Sequence, residues 1–455
     1  MKNLKTVILA AGQGTRMKSK LPKVLHKILD RSLLDYVIDA AKEVDSDKIC
    51  VVIGHKSEVV RKEINKSVEF VLQEKQLGTG HAVMQARDFI GKEGDVLILF
   101  GDTPLITKTT LEELVNHHHH NNNDVTVLST IVDNPEGYGR IIRDNKNDFI
   151  KSVEHKDATE EEKLVCEINS GMYLYNAKIL YEALLNLTNN NAQGEYYLPD
   201  TLKYILDKGH KVDAMITKQS LDILGVNSRV QLIQAQKIIQ DRINEYWMNE
   251  GVTFVDPKQA YIGKDVIIEK DVIIYPNTFI EGNSYIGEDS EIGINTKIID
   301  SKIGVSTKIE QSVVIESEIG NNSEIGPFAY IRPQSKIGNS VKIGDFVEVK
   351  KSTIGDGTKA SHLTYIGDAV VGENVNFGCG TVIVNYDGKE KHQTKIEDNV
   401  FIGCNTNLIS PVTIGENAYT AAGSTINKDV PPNSLGISRS RQENKENWVK
   451  RKRNN

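Results

Sequence analysis

Residues 261–300 read YIGKDVIIEKDVIIYPNTFIEGNSYIGEDSEIGINTKIID. Isoleucine recurs in this stretch at every sixth position, from Ile262 to Ile298 without a miss. Neither an α-helix, with its period of 3.6 residues, nor an isolated amphipathic strand, with its period of two, produces such a step. A triangular coil does, because each of its three faces points one aliphatic residue inward and stacked turns form a continuous core. The stretch therefore predicts a parallel β-helix of hexapeptide repeats.

The same ladder continues toward the C-terminus with slips of phase. Glycine follows many of its members, where a bend favours a residue without a side chain. A polar interruption over 381–395 is rich in turn formers, and a solenoid accommodates such an insertion as a protruding loop that often lines a binding surface. The later members of the predicted ladder are Ile303, Ile309, Ile315, Ile319, Ile325, Ile331, Ile337, Ile343, Val349, Ile354, Ile366, Ile396, Ile402, Leu408, Ile414 and Ile426.

The first half of the chain alternates short apolar runs with amphipathic stretches, which is typical of a mostly parallel sheet covered by helices. In such sheets ligands bind beyond the carboxyl ends of the strands. A long helix is expected from Ser228 to Gly251. The predicted domains are residues 1–227, a helical linker over 228–250 and the β-helix with its tail over 251–455. The predicted strands are 6–11, 48–54, 69–72, 96–101 and 125–131, with helices over 33–43 and 77–90.

Composition narrows the class of protein. The 455 residues are 39% hydrophobic and 26% charged, as in globular proteins, and the net charge of -7 argues against nucleic acid or an anionic membrane as a partner. No signal peptide and no run long enough to span a membrane are apparent, so we expect a cytoplasmic enzyme. The four cysteines form no CxxC pair, which predicts neither a zinc site nor a disulfide framework. The run His117–His120 is interpreted as part of a polar loop.

A glycine-containing loop follows the first predicted strand, in the sequence Leu9-Ala10-Ala11-Gly12-Gln13-Gly14-Thr15-Arg16-Met17. Small residues let backbone amides approach phosphates, and Arg16 adds a fixed positive charge. The loop is neither a Walker A loop nor a GxGxxG fingerprint, and by itself it fits a structural turn about as well. With Leu21-Pro22-Lys23-Val24-Leu25 behind it, the combination is more specific.

This combination resembles the nucleotide-sugar pyrophosphorylases. Further motifs occur in the same order along the chain, and with the β-helix they make the sequence similar to the bacterial bifunctional N-acetylglucosamine-1-phosphate uridyltransferases/glucosamine-1-phosphate acetyltransferases. The resemblance extends from the first strand to Arg439. It implies an α/β Rossmann-like nucleotidyltransferase domain joined by a long helix to a left-handed parallel β-helix. The further motifs are Gln73, Gly78-Thr79-Gly80-His81-Ala82, Phe100-Gly101-Asp102-Thr103-Pro104-Leu105, Tyr138-Gly139-Arg140-Ile141 and Asn169-Ser170-Gly171.

The resemblance implies a UTP site in the first domain. Arg16 and Lys23 would neutralise the triphosphate and the departing pyrophosphate, and Asp102 and Asn227 would bind Mg²⁺. Attack of a sugar phosphate on the α-phosphorus brings two anions together, so cations and a hard metal with oxygen ligands suit this chemistry. The residues implied to bind UTP or the UDP-sugar are Leu9, Ala10, Ala11, Gly12, Lys23, Gln73, Gly78, Thr79, Gly139, Glu154, Asn169 and Asn227.

A second set of polar residues interrupts the aliphatic ladder of the β-helix. Acetyl transfer to an amine requires a base for the amine proton and cations for a phosphorylated substrate. By resemblance, His362 is the general base, and Cys379 and Cys404 are pocket-lining residues rather than nucleophiles. The implied glucosamine-1-phosphate site is Arg332, Lys350, Tyr365, Asn376 and Lys391. The implied acetyl-CoA site is Cys379, Asn385, Tyr386, Cys404, Ala422 and Arg439, with some contacts supplied across a homotrimer.

Two other functions compete with this interpretation. One is a single-function pyrophosphorylase whose β-helix only regulates or oligomerises, and the polar set around His362 disfavours it. The other is a non-catalytic assembly subunit built from similar halves. The intact phosphate-loop set of Gly12, Gly14, Arg16, Lys23 and Asp102 disfavours that one.

Overall fold

A computed structural model describes residues 3–191 and 193–453. The chain forms two compact units that divide between Ile239 and Gln240. The long helix of 229–249 contains this division, since Leu232 and Ile239 are buried on the side of the first unit and Ile243 and Trp247 pack on the core of the second.

The first unit is a mostly parallel sheet with helices packed on its strands. The strand order is β11-β7-β10-β6-β1-β4-β5, with β8 and β9 attached to β10. Strand β10 runs antiparallel to β6 and β7, and the other neighbours on this path are parallel. The strands are β1 Leu4–Ala10, β2 Lys27–Ile28, β3 Arg31–Ser32, β4 Lys48–Ile53, β5 Glu69–Leu72, β6 Asp95–Phe100, β7 Val125–Ile131, β8 Gly139–Arg143, β9 Phe149–Val153, β10 Glu167–Asn176 and β11 Val212–Ile216.

Within the described residues of this unit, four helices begin at a capping side chain. Ser32 and Asp35 form a capping box at the start of α1, and Asn176 caps α7. The helix predicted over 77–90 is interrupted at Ala86, so the structure has two helices in this stretch. The helices are α1 Leu33–Glu43, α2 Ser57–Glu63, α3 Thr79–Gln85, α4 Arg87–Ile90, α5 Lys108–His120, α6 Glu160–Lys163, α7 Ala177–Leu184, α8 Asp200–Asp207 and α9 Arg229–Asn249.

The interpretation of His117–His120 as a polar loop is wrong. These residues form the last turn of α5, where His118 is buried and its Nδ1 lies 2.9 Å from Thr126 Oγ1. Burial lowers the pKa of His118 to about 4. His117 and His119 pair with Asp213 and Asp95, at 2.8 and 2.7 Å. Their acidic partners lie on β11 and at the start of β6, far away in sequence, so composition gave no signal of these contacts.

The second unit is a three-sided parallel β-helix, in which each strand pairs with the strand three positions later. Its first face comprises Thr253–Phe254, Ile273–Ile274, Glu291–Ile292, Lys308–Ile309, Glu324–Ile325, Lys342–Asp345, Lys359–His362, Asn376–Phe377, Phe401–Ile402, Tyr419–Thr420 and Leu435–Gly436. Its second face comprises Ala260–Ile262, Thr278–Glu281, Lys297–Ile299, Val313–Ile315, Tyr330–Ile331, Glu348–Lys350, Tyr365–Gly367, Val382–Val384, Asn407–Ile409 and Thr425–Ile426. Its third face comprises Ile267–Ile268, Tyr285–Ile286, Lys302–Ile303, Glu318–Ile319, Lys336–Ile337, Thr353–Ile354, Ala369–Val371, Thr394–Ile396 and Val412–Ile414. A terminal helix follows over Trp448–Arg453.

The predicted aliphatic ladder forms the interior of this β-helix, with one exception. The ladder isoleucines at every sixth position from Ile262 to Ile298 are at most 3% exposed. After Ile309 the next core position comes five residues later rather than six. Val314 therefore occupies the core position, and Ile315 is half-buried. The insertion after Val384 forms a small antiparallel bridge between Tyr386 and Lys391, as a protruding loop would.

Neighbouring isoleucines allow a direct test of the inward column. Ile268 is 3% exposed and Ile267 is 55% exposed. Ile268→Ala should lower the free energy of unfolding by about 2–5 kcal/mol because it leaves a cavity in the column. Ile267→Ala should change it by less than about 0.5 kcal/mol. Urea denaturation of both variants provides the measurement, and equal losses would contradict the assignment of the inward face.

Candidate functional site

A cavity of about 310 Å³ lies at the carboxyl end of β1 in the first unit. Nine of the residues implied to bind nucleotide or metal line it: Leu9, Ala10, Ala11, Gly12, Lys23, Gln73, Gly78, Thr79 and Asp102. Gly78 has a φ of +107°, and a Cβ added there would lie 2.6 Å from the Tyr196 carbonyl oxygen. The cavity wall at this point therefore requires glycine.

The cavity wall also contains residues that the sequence did not reveal. Gln76 and Glu195 line it although neither was assigned a role. Glu195 reaches the wall because Tyr196 donates its backbone N–H to the Leu77 carbonyl at 2.8 Å and accepts one from Gly80 at 2.8 Å. This long-range pairing of loops has no local sequence signature.

Three polar side chains meet on one side of the cavity. The Lys23 ammonium forms an ion pair with Asp102 and donates a hydrogen bond of 3.0 Å to Asn227 Oδ1. The Val226 backbone N–H donates to the Asp102 carbonyl oxygen at 2.8 Å, which holds the segments after β6 and before α9 together. Two oxygen donors, one of them charged, fit a magnesium ion that completes its shell with water and phosphate oxygens. Within the described residues, no group of three or more His, Cys, Asp or Glu side chains is arranged to hold a metal ion.

Arg16 does not line this cavity. It lies on the turn Thr15–Met17, just beyond the loop, and its side chain is exposed. Gly14 has a φ of +64°, and a Cβ added there would lie 2.6 Å from Lys23 Cβ, so the loop folds directly against Lys23. The structure thus brings Lys23 to the cavity and leaves Arg16 at its outer edge.

Gly139, Glu154 and Asn169 form a second group in the same unit. Asn169 is paired with Gly139 across β10 and β8. A Cβ added to Gly139 would lie 3.6 Å from both Asn169 Cβ and Glu154 Oε1. Asn169 Nδ2 donates hydrogen bonds to Ser152 Oγ at 2.9 Å and to the Tyr173 hydroxyl at 2.8 Å, so the orientation of its amide is fixed.

The ring of Phe100 connects this group to the cavity. Phe100 lines the cavity and its ring packs directly against Gly171, two residues after Asn169. Gly171 has a φ of +81° and no room for a side chain. The two groups of residues therefore lie side by side at the same end of the sheet.

In the second unit, His362 ends the strand Lys359–His362 at the corner between the first and second faces. Its Nδ1 lies 2.5 Å from Asp345 Oδ1 on the preceding coil. This hydrogen bond lowers the pKa of Asp345. An imidazole held through Nδ1 presents Nε2 to solvent, which is the arrangement of a general base. Asp345 was not predicted as a site residue, and only its register position beside His362 identifies it.

A cationic group lies on the second face next to this corner. Arg332 pairs with Glu348 at 2.7 Å, and Lys350 pairs with Asp368 at 3.2 Å. The Lys350 side chain lies beside Lys391 of the protruding loop and lowers the pKa of Lys391.

Asn385 belongs to the same group. Its Nδ2 lies 2.5 Å from Asp368 Oδ2 and 3.5 Å from the Tyr365 hydroxyl. It was assigned to acetyl-CoA, but its side chain contacts Tyr365, which was assigned to the sugar phosphate, and Asp368, which pairs with Lys350 of the same set. Tyr386 follows it on the exposed loop.

The remaining assigned residues lie apart from the cationic group. Asn376 is on the first face, between Lys359 and Phe401 of the adjacent coils. Cys379 and Cys404 are on successive turns of the corner that carries His362, since Asn405 donates its N–H to the Cys379 carbonyl at 2.8 Å. Gly423, next to Ala422, donates its N–H to the Cys404 carbonyl at 2.8 Å, so Ala422 lies on the next turn of the same corner. Arg439 is exposed after the last strand, and the four cysteines of the chain are free thiols.

Comparison with known proteins places both units in known families. Residues 5–252 match the family described as nucleotidyl transferase. Residues 316–351 and 393–428 match the family described as bacterial transferase hexapeptide (six repeats). A solved UDP-glucose pyrophosphorylase complexed with UDP-glucose is 20% identical, with a TM-score of 0.45 over 53% of this chain and 99% of that one.

Curated relatives match the chain over its full length. The bifunctional protein GlmU of Thermoanaerobacter pseudethanolicus is 55% identical over 99% of this chain and 98% of its own length. GlmU of Halalkalibacterium halodurans is 52% identical over 100% of both chains.

The chain belongs to the GlmU family. The resemblance drawn from the motifs is thereby confirmed, together with the combination of a nucleotidyltransferase fold and a hexapeptide-repeat β-helix. None of the helices in the part of this GlmU-family chain that the structure describes is long and apolar enough to cross a membrane.

The surroundings of Glu154 predict that its ionised carboxylate lowers the stability of the folded protein. Burial, together with the carboxylates of Asp200 and Asp157, raises the pKa of Glu154. The folded protein therefore holds this proton to a higher pH than the unfolded chain does, and stability is lost as pH rises through the raised pKa. Glu154→Gln removes the charge and should raise the melting temperature at pH 7–8, with the gain vanishing below the ordinary pKa of about 4.3.

Thermal denaturation between pH 4 and pH 8 measures this effect. Glu136→Gln, at an exposed loop position, serves as the control and should show no such difference. If Glu154→Gln melted like the native protein at every pH, the carboxylate would not be strained in the folded state.

Proposed function

We propose that this chain makes a UDP-activated N-acetylamino sugar in two steps. The β-helix transfers an acetyl group from acetyl-CoA to glucosamine-1-phosphate. The first unit then transfers a uridylyl group from UTP to N-acetylglucosamine-1-phosphate and releases pyrophosphate. One observation carries the proposal: a single chain holds both a nucleotide-sized cavity with Lys23, Asp102 and Asn227 and a separate His362–Asp345 pair beside a cationic group.

The domains follow from this assignment. We assign uridyl transfer to residues 1–227 and acetyl transfer to 251–455, joined by the helical linker 228–250. UTP and acetyl-CoA are intracellular metabolites, so the cytoplasm is the proposed location.

For uridyl transfer, the chain has to bring a sugar phosphate dianion against a triphosphate. Lys23 offsets the negative charge that builds up on the phosphates, and Arg16 at the outer edge would meet the pyrophosphate as it leaves. The side-chain oxygens of Asp102 and Asn227 would hold Mg²⁺, which supplies further charge neutralisation when bound. Leu9 to Gly12, Gln73, Gly78 and Thr79 would hold the uridine, and Gly139, Glu154 and Asn169 the amino sugar.

For acetyl transfer, a lone pair on the sugar amine attacks the thioester carbon of acetyl-CoA. His362 Nε2 takes the proton that the amine gives up, while Asp345 holds the opposite ring nitrogen and stabilises the imidazolium that forms. The bond to sulfur breaks and the thiolate of coenzyme A departs. Arg332, Lys350, Tyr365 and Lys391 would hold the phosphate and hydroxyl groups of the sugar.

A homotrimer would complete the acetyl-transfer site. Asn376 lies on the first face, and Cys379, Cys404 and Ala422 lie at the corner between the first and second faces, whereas the cationic group lies on the second face. Three parallel β-helices placed side by side would bring the first face of one copy against the second face of another. In that arrangement Asn376, Cys404, Ala422 and Arg439 would act across the subunit boundary.

Incubation of the purified protein with glucosamine-1-phosphate, acetyl-CoA, UTP and Mg²⁺ tests both steps together. Mass spectrometry should detect UDP-N-acetylglucosamine, which requires both activities. If only UDP-glucosamine or unchanged sugar phosphate appeared, the β-helix would be a scaffold and the single-function pyrophosphorylase would be the better assignment.

Two substitutions should separate the activities. His362→Ala should reduce acetylation by on the order of 10²–10⁴-fold, the usual contribution of a general base, and leave uridylation normal. Asp102→Ala should reduce uridylation by on the order of 10²–10³-fold and leave acetylation normal. Each reaction is assayed alone with its own substrates, so each variant is the control for the other. Equal loss of both activities in either variant would mean that the protein has unfolded or that the sites are not independent.

A further inference from the structure

We infer that His81, together with the Gly78 carbonyl, fixes which end of the Gln73 amide faces the nucleotide cavity, and that it thereby strengthens a preference for uracil over cytosine. The inference deepens the proposed function and rests on it, since it takes Gln73 to contact the base. His81 has no other role assigned above. It lies on α3, one turn of helix from the cavity-lining residue Gly78.

Two contacts determine the orientation of the Gln73 amide. Gln73 Nε2 lies 3.2 Å from the Gly78 carbonyl oxygen and 3.0 Å from His81 Nδ1. A carbonyl oxygen only accepts hydrogen bonds, so the amide atom beside it has to be the NH₂ group. One hydrogen of this group goes to Gly78 and the other to His81. The side-chain oxygen of Gln73 is then the part of the amide left for a ligand in the cavity.

His81 can play this part only as a neutral ring with its lone pair on Nδ1. Burial lowers the pKa of His81, which favours the neutral ring at physiological pH. A second amide competes for the lone pair, because Gln85 Nε2 lies 3.2 Å from His81 Nε2 and 3.1 Å from the His81 carbonyl.

The burial of the two amides decides between them. Gln85 is partly exposed, so its amide can turn toward water and away from the ring Nε2–H. Gln73 is 3% exposed, and an unbonded N–H there would be costly. The lone pair of the His81 ring therefore lies on Nδ1 and accepts the hydrogen bond from Gln73.

The exposed oxygen of Gln73 distinguishes between the pyrimidines. Uracil carries an N–H donor at N3, whereas cytosine carries a lone pair at the same position. An oxygen acceptor pairs with the first and repels the second, and a buried site built for one hydrogen-bond pattern rejects a base that lacks it. Without His81, only the Gly78 carbonyl would hold the NH₂ group in place, so Gln73 could rotate more readily and present that group, which pairs with cytosine N3.

Two substitutions at position 81 test this positioning role. His81→Asn keeps an acceptor close to the place of Nδ1, and His81→Leu removes it. We expect His81→Leu to reduce the UTP-over-CTP ratio of kcat/KM by on the order of tenfold, mainly by raising KM for UTP. His81→Asn should keep the ratio within about threefold of the native protein, which a role in packing alone would not predict.

Each outcome decides a different question. An unchanged ratio in His81→Leu would overturn the inference, and so would an equal loss in both variants. If the native protein made no UDP-sugar from UTP, the proposed function would fail instead.

A nuclear magnetic resonance measurement covers the case in which His81→Leu does not fold. In histidine-labelled native protein, with His81→Asn identifying the resonance, the ¹⁵N shifts of His81 should show an unprotonated Nδ1. A proton on Nδ1 would overturn the inference.

Discussion

The coils of the β-helix bury one side chain per face, in most cases an aliphatic one, and this requirement determines where chemistry can occur in this unit. Ile331, Val349 and Ile366 fill the column on the second face and are fully buried. Their neighbours in sequence, Arg332, Lys350 and Tyr365, lie outside that column. Polar side chains in such a solenoid can occupy only the outer faces, the corners and the insertions. The candidate acetyl-transfer residues are distributed over these three places.

The corner that carries His362 shows how backbone geometry supports this arrangement. Leu363, directly after His362, has a φ of +45°, and the equivalent positions Phe328 and Phe346 have φ values of +61° and +56°. Bulky residues rarely adopt this left-handed conformation. Here the stacking of coils imposes it, because the Leu363 N–H donates to the Asp345 carbonyl at 2.9 Å. The same pairing sets His362 beside Asp345, so the strained turn and the proposed base are parts of one constraint.

The sequence predicted regular features well, because a period is a property of neighbouring residues. The strands over 69–72 and 125–131 and the helix over 33–43 have the predicted limits. The core was wrong at Ile315, because isoleucine and valine are equally suited to a core position and only the coil length decides between them. The prediction of a loop at His117–His120 was wrong for a related reason, since the acidic partners of these histidines come from other segments of the sheet.

Site residues could be predicted only where a motif contains them. Lys23 and Asp102 belong to short motifs and reach the cavity as expected. Glu195 and Asp345 belong to none, and they take their places through loop pairing and coil register. The three-dimensional roles of Asn385 and Asn376 depend on which face each occupies, and a six-residue period does not reveal that once the phase has slipped.

The ion pairs of the cationic group are well suited to exchange partners with a substrate. Arg332 and Glu348 are each more than a third exposed, and exposed pairs contribute about 0–1 kcal/mol. A phosphate dianion offers more charge and more acceptor oxygens than one carboxylate, so it can displace such a pair. The proximity of Lys350 and Lys391 also favours the binding of an anion. The two ammonium groups repel each other, the Asp368 carboxylate offsets part of this repulsion, and a bound phosphate would attract both ammonium groups. If the cationic group binds the sugar phosphate, as proposed, the bound phosphate would replace the exposed Arg332–Glu348 pair and the repulsion between Lys350 and Lys391 with stronger contacts.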